Sequence, residues 1–140
     1  MKIGTGGVLL IVASVAVVAA IVSGIVELGP PSEERARRLD AKRVADLQQL
    51  TGAIEYYRQQ KGQLPSSLGD LASLPNLRAE QHDPVSGQPY GFRLTDTAAY
   101  EVCATFDRDS TEHVAQGSEF WAHAPGTHCF TFKVREKGQQ

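Results

Sequence analysis

Leu39-Asp-Ala-Lys-Arg-Val-Ala-Asp-Leu-Gln-Gln-Leu-Thr-Gly-Ala-Ile-Glu-Tyr-Tyr-Arg-Gln-Gln-Lys61 carries apolar side chains at Leu47, Leu50, Ile54 and Tyr57, spaced three, four and three apart. That spacing lines them up along one face of an α-helix. Leu39 and Val44 extend the stripe upstream, while Arg43, Asp46, Gln49, Arg58 and Gln59 fall on other faces. Ser32-Glu33-Glu34 suits the start of this helix. Serine accepts a bond from an orphan N–H, and the two carboxylates face the positive end of the helix dipole. Gly62 stops the helix after Lys61. The stripe reads first as cover for the core of its own domain. Its 3–4 spacing also suits packing against identical helices, which makes Leu47, Leu50, Ile54 and Tyr57 candidate interaction residues. The basic cluster from Arg35 to Arg43 has Glu33, Glu34 and Asp40 interleaved or adjacent, and reads as a solvated face rather than a headgroup contact.

Downstream the period changes to two. Tyr90, Phe92 and Leu94 alternate with polar or small residues. Tyr100, Val102, Ala104 and Phe106 alternate with Glu101, Cys103 and Thr105. Phe130, Phe132 and Val134 alternate with Cys129, Thr131 and Lys133. Each run reads as a strand with one face on a core and one facing out. Before them, Gln63-Leu-Pro-Ser-Ser-Leu-Gly-Asp-Leu71 is a turn followed by a short helical piece. Pro65 stops the chain there, Ser66 or Ser67 caps, and Leu68 and Leu71 point inward. The expected architecture is α+β: one long amphipathic helix laid across a small antiparallel sheet of about three strands. Cys103 and Cys129 share the polar-side register of their strands, so their side chains can meet on one face. Two cysteines without a C-x-x-C motif suit one structural disulfide, and hence an oxidising compartment. Closing a loop of about 27 residues contributes roughly 3.5 kcal/mol in chain-entropy terms. The competing reading is two unpaired buried thiols in a cytosolic domain.

Upstream, Val8 to Val26 reads VLLIVASVAVVAAIVSGIV, and no charged side chain occurs from Ile3 to Val26. These 19 residues span roughly 28 Å as a helix, close to a hydrocarbon core of about 30 Å. Ser14 and Ser23 are the only polar side chains, and their hydroxyls can bond back to the preceding turn. Glu27 ends the run, and Leu28-Gly29-Pro30-Pro31 interrupts the helix. The segment reads as a single-pass anchor; a cleaved signal peptide and a buried core helix are the competing readings. Lys2 favours an N-terminus inside, whereas Arg35, Arg37, Arg38, Lys42 and Arg43 pull the other flank inward. The cysteines decide for a C-terminal domain outside the cytoplasmic membrane. The chain then divides into an anchor at 1–28, a Pro-rich break at 29–32, one domain at 33–136 and a polar tail at 137–140. With 14 basic and 16 acidic side chains, the charge of −2 gives no case for nucleic acid.

The order of these parts has a known counterpart. An apolar N-terminal helix, an amphipathic extension, the turn Asp83-Pro84…Gly87…Pro89-Tyr90 and a cysteine-bracketed C-terminal strand region resemble the type IV pilin and type II secretion pseudopilin superfamily. The turn is similar to the D-P-x-G-x-P-Y turn of the major pseudopilin, and Arg43 to Leu71 matches its helix, Y-x-x-x-x-G and L-P pattern. The resemblance covers about residues 40–106. It implies a pilin-like fold and a membrane-anchored, non-catalytic structural or assembly role in the bacterial cell envelope. It also implies partners in the membrane, in further copies of the chain or in other pilin-like subunits. The processing motif is not matched, because Gly7 is followed by Val8-Leu-Leu-Ile-Val12 and Val12 stands where the family carries glutamate. The anchor is therefore read as uncleaved.

Other chemistry is sparse. Asp107, Asp109, Ser110 and Glu112 place oxygens along a loop after a strand, a candidate calcium set that the resemblance also suggests. His82, His113, His123 and His128, with Cys103 and Cys129, raise a zinc reading that a disulfide would remove. Phe120 and Trp121 near Pro125-Gly126 form an aromatic cluster that pins the long loop to the sheet or, if exposed, offers a partner site. That gives the second functional reading, a membrane-tethered binding module using the 107–128 loop. No G-x-S-x-G, P-loop or G-x-G-x-x-G is present, so no catalytic site, cofactor or small-molecule substrate is expected.

Overall fold

The computed structural model of the chain describes residues 4–28, 31–75, 79–111, 117 and 119–134. The chain divides into two compact units, Met1–Arg35 and Ala36–Gln140. The first contains helix α1, Thr5–Leu28. Its valines, leucines and isoleucines from Val8 to Val26 are between 50% and 73% exposed. The Ser14 and Ser23 hydroxyls each donate to a carbonyl four residues back, at 2.8 Å. The polar groups of the run are thus satisfied within the helix, as a lipid environment requires. This helix is long and apolar enough to cross a membrane.

Helix α2 runs Pro31–Lys61. It begins one residue ahead of the expected Ser32, because proline fits the first helical turn, where its missing N–H costs nothing. Of the expected break at 29–32, Pro31 and Ser32 are thus helical, while Gly29 and Pro30 lie outside the described residues. So does the expected tail at 137–140. Gly62 ends α2 with φ 78° and donates to the Arg58 carbonyl at 2.8 Å. A residue with a Cβ would be strained in that left-handed conformation.

The second unit adds a three-stranded antiparallel sheet, β1 (Gly91–Asp96), β2 (Ala99–Phe106) and β3 (Gly126–Lys133), in the order β1-β2-β3. The expected alternation holds along β2: Tyr100, Val102, Ala104 and Phe106 are buried, with Phe130 opposite Val102 in β3. They pack with Leu47, Leu50, Ala53 and Ile54 of α2. Leu68 and Leu71 close the core from a 3-10 helix at Leu68–Ser73. Asp70 fastens its start, accepting the N–H groups of Ser66 and Ser67 at 2.8 and 3.1 Å.

This packing matches the first reading of the stripe, as cover for the core of its own domain. The domain's own core takes up Leu47, Leu50 and Ile54 of the stripe, which are fully buried, and Tyr57 is covered in part.

Cys103 and Cys129 sit directly opposite each other on β2 and β3, with Cα atoms 4.0 Å apart, and form a disulfide on the outer sheet face. Gly91 is the partner of Cys103 on the other side. A Cβ at Gly91 would lie 2.9 Å from the Cys103 Cβ. Gly91→Ala is therefore expected to destabilise the domain by about 1–3 kcal/mol, the usual cost of overpacking. A thermal melt of the variant checks this; an unchanged midpoint would mean that the strand shifts freely.

Candidate functional site

The inward face of α2 continues N-terminally from Leu47, but its chemistry changes. Asp40, Arg43 and Asp46 are 4%, 5% and 3% exposed. Arg43 was expected on a solvated face and instead lies inside. The guanidinium binds Asp83 through Nε and Nη2. Its Nη1 donates to Asp40 Oδ1 at 2.8 Å and to Asp107 Oδ2 at 2.7 Å. Three carboxylates from three parts of the chain thus converge on one fork of donors, the geometry for which arginine is suited.

Each carboxylate also organises its own segment. Asp83 Oδ1 accepts the N–H groups of Val85 and Ser86 at 2.9 and 2.8 Å, and its carbonyl accepts the Gly87 N–H at 2.9 Å. Gly87 turns with φ 66°, Pro89 pairs with His82 in an isolated bridge, and Tyr90 is buried at the end of the turn. Pro84 follows Asp83 directly and precedes Val85 and Ser86, whose N–H groups Asp83 accepts. Asp40 accepts the N–H groups of Asp107 and Arg108 at 3.0 and 2.8 Å, which anchors the segment leaving β2. Asp46 accepts the Tyr90 hydroxyl at 2.9 Å and pairs with Lys42 at 3.0 Å.

Burial works against the Arg43 charge, but its bonds to Asp83, Asp107 and Asp40 outweigh that and hold the guanidinium more firmly protonated than usual. Burial also opposes the Asp83 charge, yet Arg43 and the N–H groups of Ser86 and Val85 keep its carboxyl well below the usual range. A lowered folded pKa means that the Asp83 contribution is present above the ordinary carboxylate value and fades as pH falls through the folded one. Burial, then Asp46, push the Tyr90 hydroxyl above its ordinary value. Tyr90→Phe is expected to cost about 1.5–3 kcal/mol, since it removes a hydrogen bond to a charged acceptor that stays buried. Urea unfolding measures this; a cost within error of zero would mean that Asp46 finds its partner elsewhere.

The cluster fixes the turn and the β2 exit to the helix; its donors and acceptors are occupied by one another. Its signal was present in the sequence: Asp40, Arg43, Leu47 and Leu50 are spaced three, four and three apart, in phase with the apolar stripe. Charge alone placed Arg43 outside.

The metal candidates are not assembled among the described residues. Asp107 is bound to Arg43, and Asp109 Oδ1 accepts the Thr111 N–H at 2.7 Å and the Thr111 hydroxyl. Ser110 Oγ accepts the His123 N–H at 3.0 Å. Glu112 and His113 lie outside the described residues. His82 is exposed, His123 is buried on Phe106, and the His128 ring rests on Phe130. Among the described residues, Glu101, Cys103 and Cys129 form the one group whose ligand atoms lie together, and both sulfurs are spent on the disulfide.

Phe120 and Trp121 fold onto the sheet. Trp121 stands 4.7 Å from Phe130 and Phe120 stands 5.1 Å from Phe132, centroid to centroid. Trp121 is partly buried against the core, while Phe120 remains 53% exposed. A shallow groove between α2 and β3 is floored by Tyr100, Phe132 and Val134 and edged by Glu55, Arg58 and Lys133.

No family model, no curated protein and no solved structure matches this chain.

Proposed function

We propose that this chain is a membrane-anchored, pilin-like structural or assembly protein of the bacterial cell envelope, with no catalytic role. In this reading α1 is a single-pass anchor in the cytoplasmic membrane, and the α+β domain stands outside the cytoplasm. The observation that carries it is the run Val8–Val26, uncharged, apolar but for Ser14 and Ser23, and exposed along its length. A water-facing apolar surface of that extent needs a lipid or protein partner. The cross-strand disulfide supports an oxidising location for the domain. The Asp83–Tyr90 turn and the long helix on a three-stranded sheet support the pilin-like part of the reading. Because α2 spends its stripe on its own sheet, assembly with further copies or with other pilin-like subunits falls to α1.

Photo-crosslinking from Val15 and Val22 in native membranes tests this. Adducts with the same chain or with a pilin-like subunit are expected; a chain that yields only lipid adducts would overturn the assembly role. Val18→Asp is expected to weaken insertion, since an acid at a helix centre costs about 2.5–3.5 kcal/mol. Carbonate extraction of membranes reads that shift. The exposed Phe120 favours a second reading, a tethered binding module using the 107–128 loop. It predicts loss of partner capture in Phe120→Ala with assembly through α1 absent.

A further inference from the structure

The connection between β2 and β3 holds a buried titratable ring with no part in the contacts above. His123 is 3% exposed. Its ring lies flat on Phe106, with centroids 3.7 Å and planes 15° apart. Its Nδ1 has no hydrogen-bond partner. The main chain beside it is well tied: the His123 N–H donates to Ser110 Oγ at 3.0 Å, and the Ser110 N–H donates to the His123 carbonyl at 2.9 Å. Ring and backbone together fasten the Ser110 arm and the His123 arm to the end of β2.

A neutral imidazole fits this site. An imidazolium fits less well, since it must bury a charge, and the backbone of Ala124 and Arg108 and the carboxylate of Asp40 relieve that cost only in part. The charges around it offer little relief. Asp40 on α2 attracts a proton, but it already accepts Arg43 and the N–H groups of Asp107 and Arg108. His128 on β3 opposes protonation. On the connecting segment, Asp107 is held by Arg43, and Asp109 is turned to Thr111. Burial is the leading effect and moves the His123 pKa below its ordinary value, against Asp40 and the backbone of Ala124 and Arg108.

We propose that His123 is an acid-sensitive latch, which clamps the Ser110 and His123 arms to Phe106 when neutral and releases them when protonated, while α2 and the sheet stay folded. The released arm takes up the proton at an ordinary histidine pKa, and the clamped arm takes it up at a lower one. The clamp is therefore at full strength above about pH 6.5 and weakens as pH falls toward the lower, clamped value. Over that window the clamped-to-released ratio drops about tenfold per pH unit.

Amide hydrogen exchange on the full chain in detergent micelles, from about pH 7.5 to about pH 5, tests this. Protection factors, corrected for the intrinsic pH dependence of exchange, are expected to hold level above about pH 6.5 and to fall by up to about tenfold per unit below it at Ser110 and His123. Val102 in β2 stays protected throughout. His123→Phe, which keeps the stack on Phe106, abolishes the pH dependence, whereas His128→Gln retains it. Should His123→Phe not fold, an NMR titration of the wild-type ring decides: a midpoint below about 6.5 that coincides with the loss of protection supports the latch. Flat protection, pH dependence that survives His123→Phe, a midpoint at or above that value, or simultaneous loss at Val102 would each overturn it.

Discussion

Arg43→Ala is expected to destabilise the domain by about 3–5 kcal/mol, the cost of removing one partner from a buried ion pair. The substitution leaves Asp40 and Asp83, both largely buried, facing each other's charge without a cation. It also removes the guanidinium bonds that link α2 to the Asp83–Tyr90 turn and to Asp107 beyond β2, leaving the Asp40 and Asp46 bonds to hold those segments. Against a total stability of about 5–15 kcal/mol for an ordinary domain, much of the folded population is at stake. Arg43→Lys is expected to recover only part of the loss, because one ammonium cannot reproduce the planar fork that serves three carboxylates. Urea unfolding of the two variants beside the wild type gives both numbers. A cost for Arg43→Ala under about 1 kcal/mol, the range of surface pairs, would contradict a buried cluster.

Opening the Cys103–Cys129 link ranks second, at about 3.5 kcal/mol. The two cysteines are 26 residues apart in sequence, so the bridge restrains a substantial loop of the unfolded chain. In the folded state it lies on the outer face of the sheet, away from the core packed on α2. The Cys103→Ala, Cys129→Ala double variant should therefore keep its secondary structure and lose stability. Circular dichroism and a denaturant midpoint separate these effects. Loss of the sheet signal at low temperature would mean that the bridge, rather than the core, holds the strands together.

The elements were largely legible because their periods are clean. Alternation along Tyr100–Phe106 and Phe130–Phe132 marked two strands, their faces and the cysteine pairing, since one register fixes every side chain on a strand. Strand β3 ends at Lys133, short of the expected Val134, and Leu94 of β1, expected on the core face, is 42% exposed. The helix limits followed from Gly62 and from the acidic first turn. The ionic cluster was not legible from polarity. A buried guanidinium is tolerable only where acceptors arrive from elsewhere, and two of its three, Asp83 and Asp107, are 40 and 64 residues away. Helical phase would have marked Arg43, whereas its charge pointed outward. His123 was hidden for a similar reason: as a loop residue it has no period, and its burial depends on Phe106 and on the return of the chain to Ser110. Phe120 and Trp121 were read together, yet the sheet partly covers Trp121 and leaves Phe120 exposed.

The central claim is an uncleaved membrane anchor carrying a disulfide-bonded domain outside the cytoplasm. The most direct test is the intact mass of the protein extracted from carbonate-washed membranes, alkylated with and without prior reduction. The account predicts the full-length mass in the membrane pellet, no alkylation before reduction and two adducts after it. A soluble chain, a mass shortened within Val8–Val26, or two adducts without reductant would contradict it.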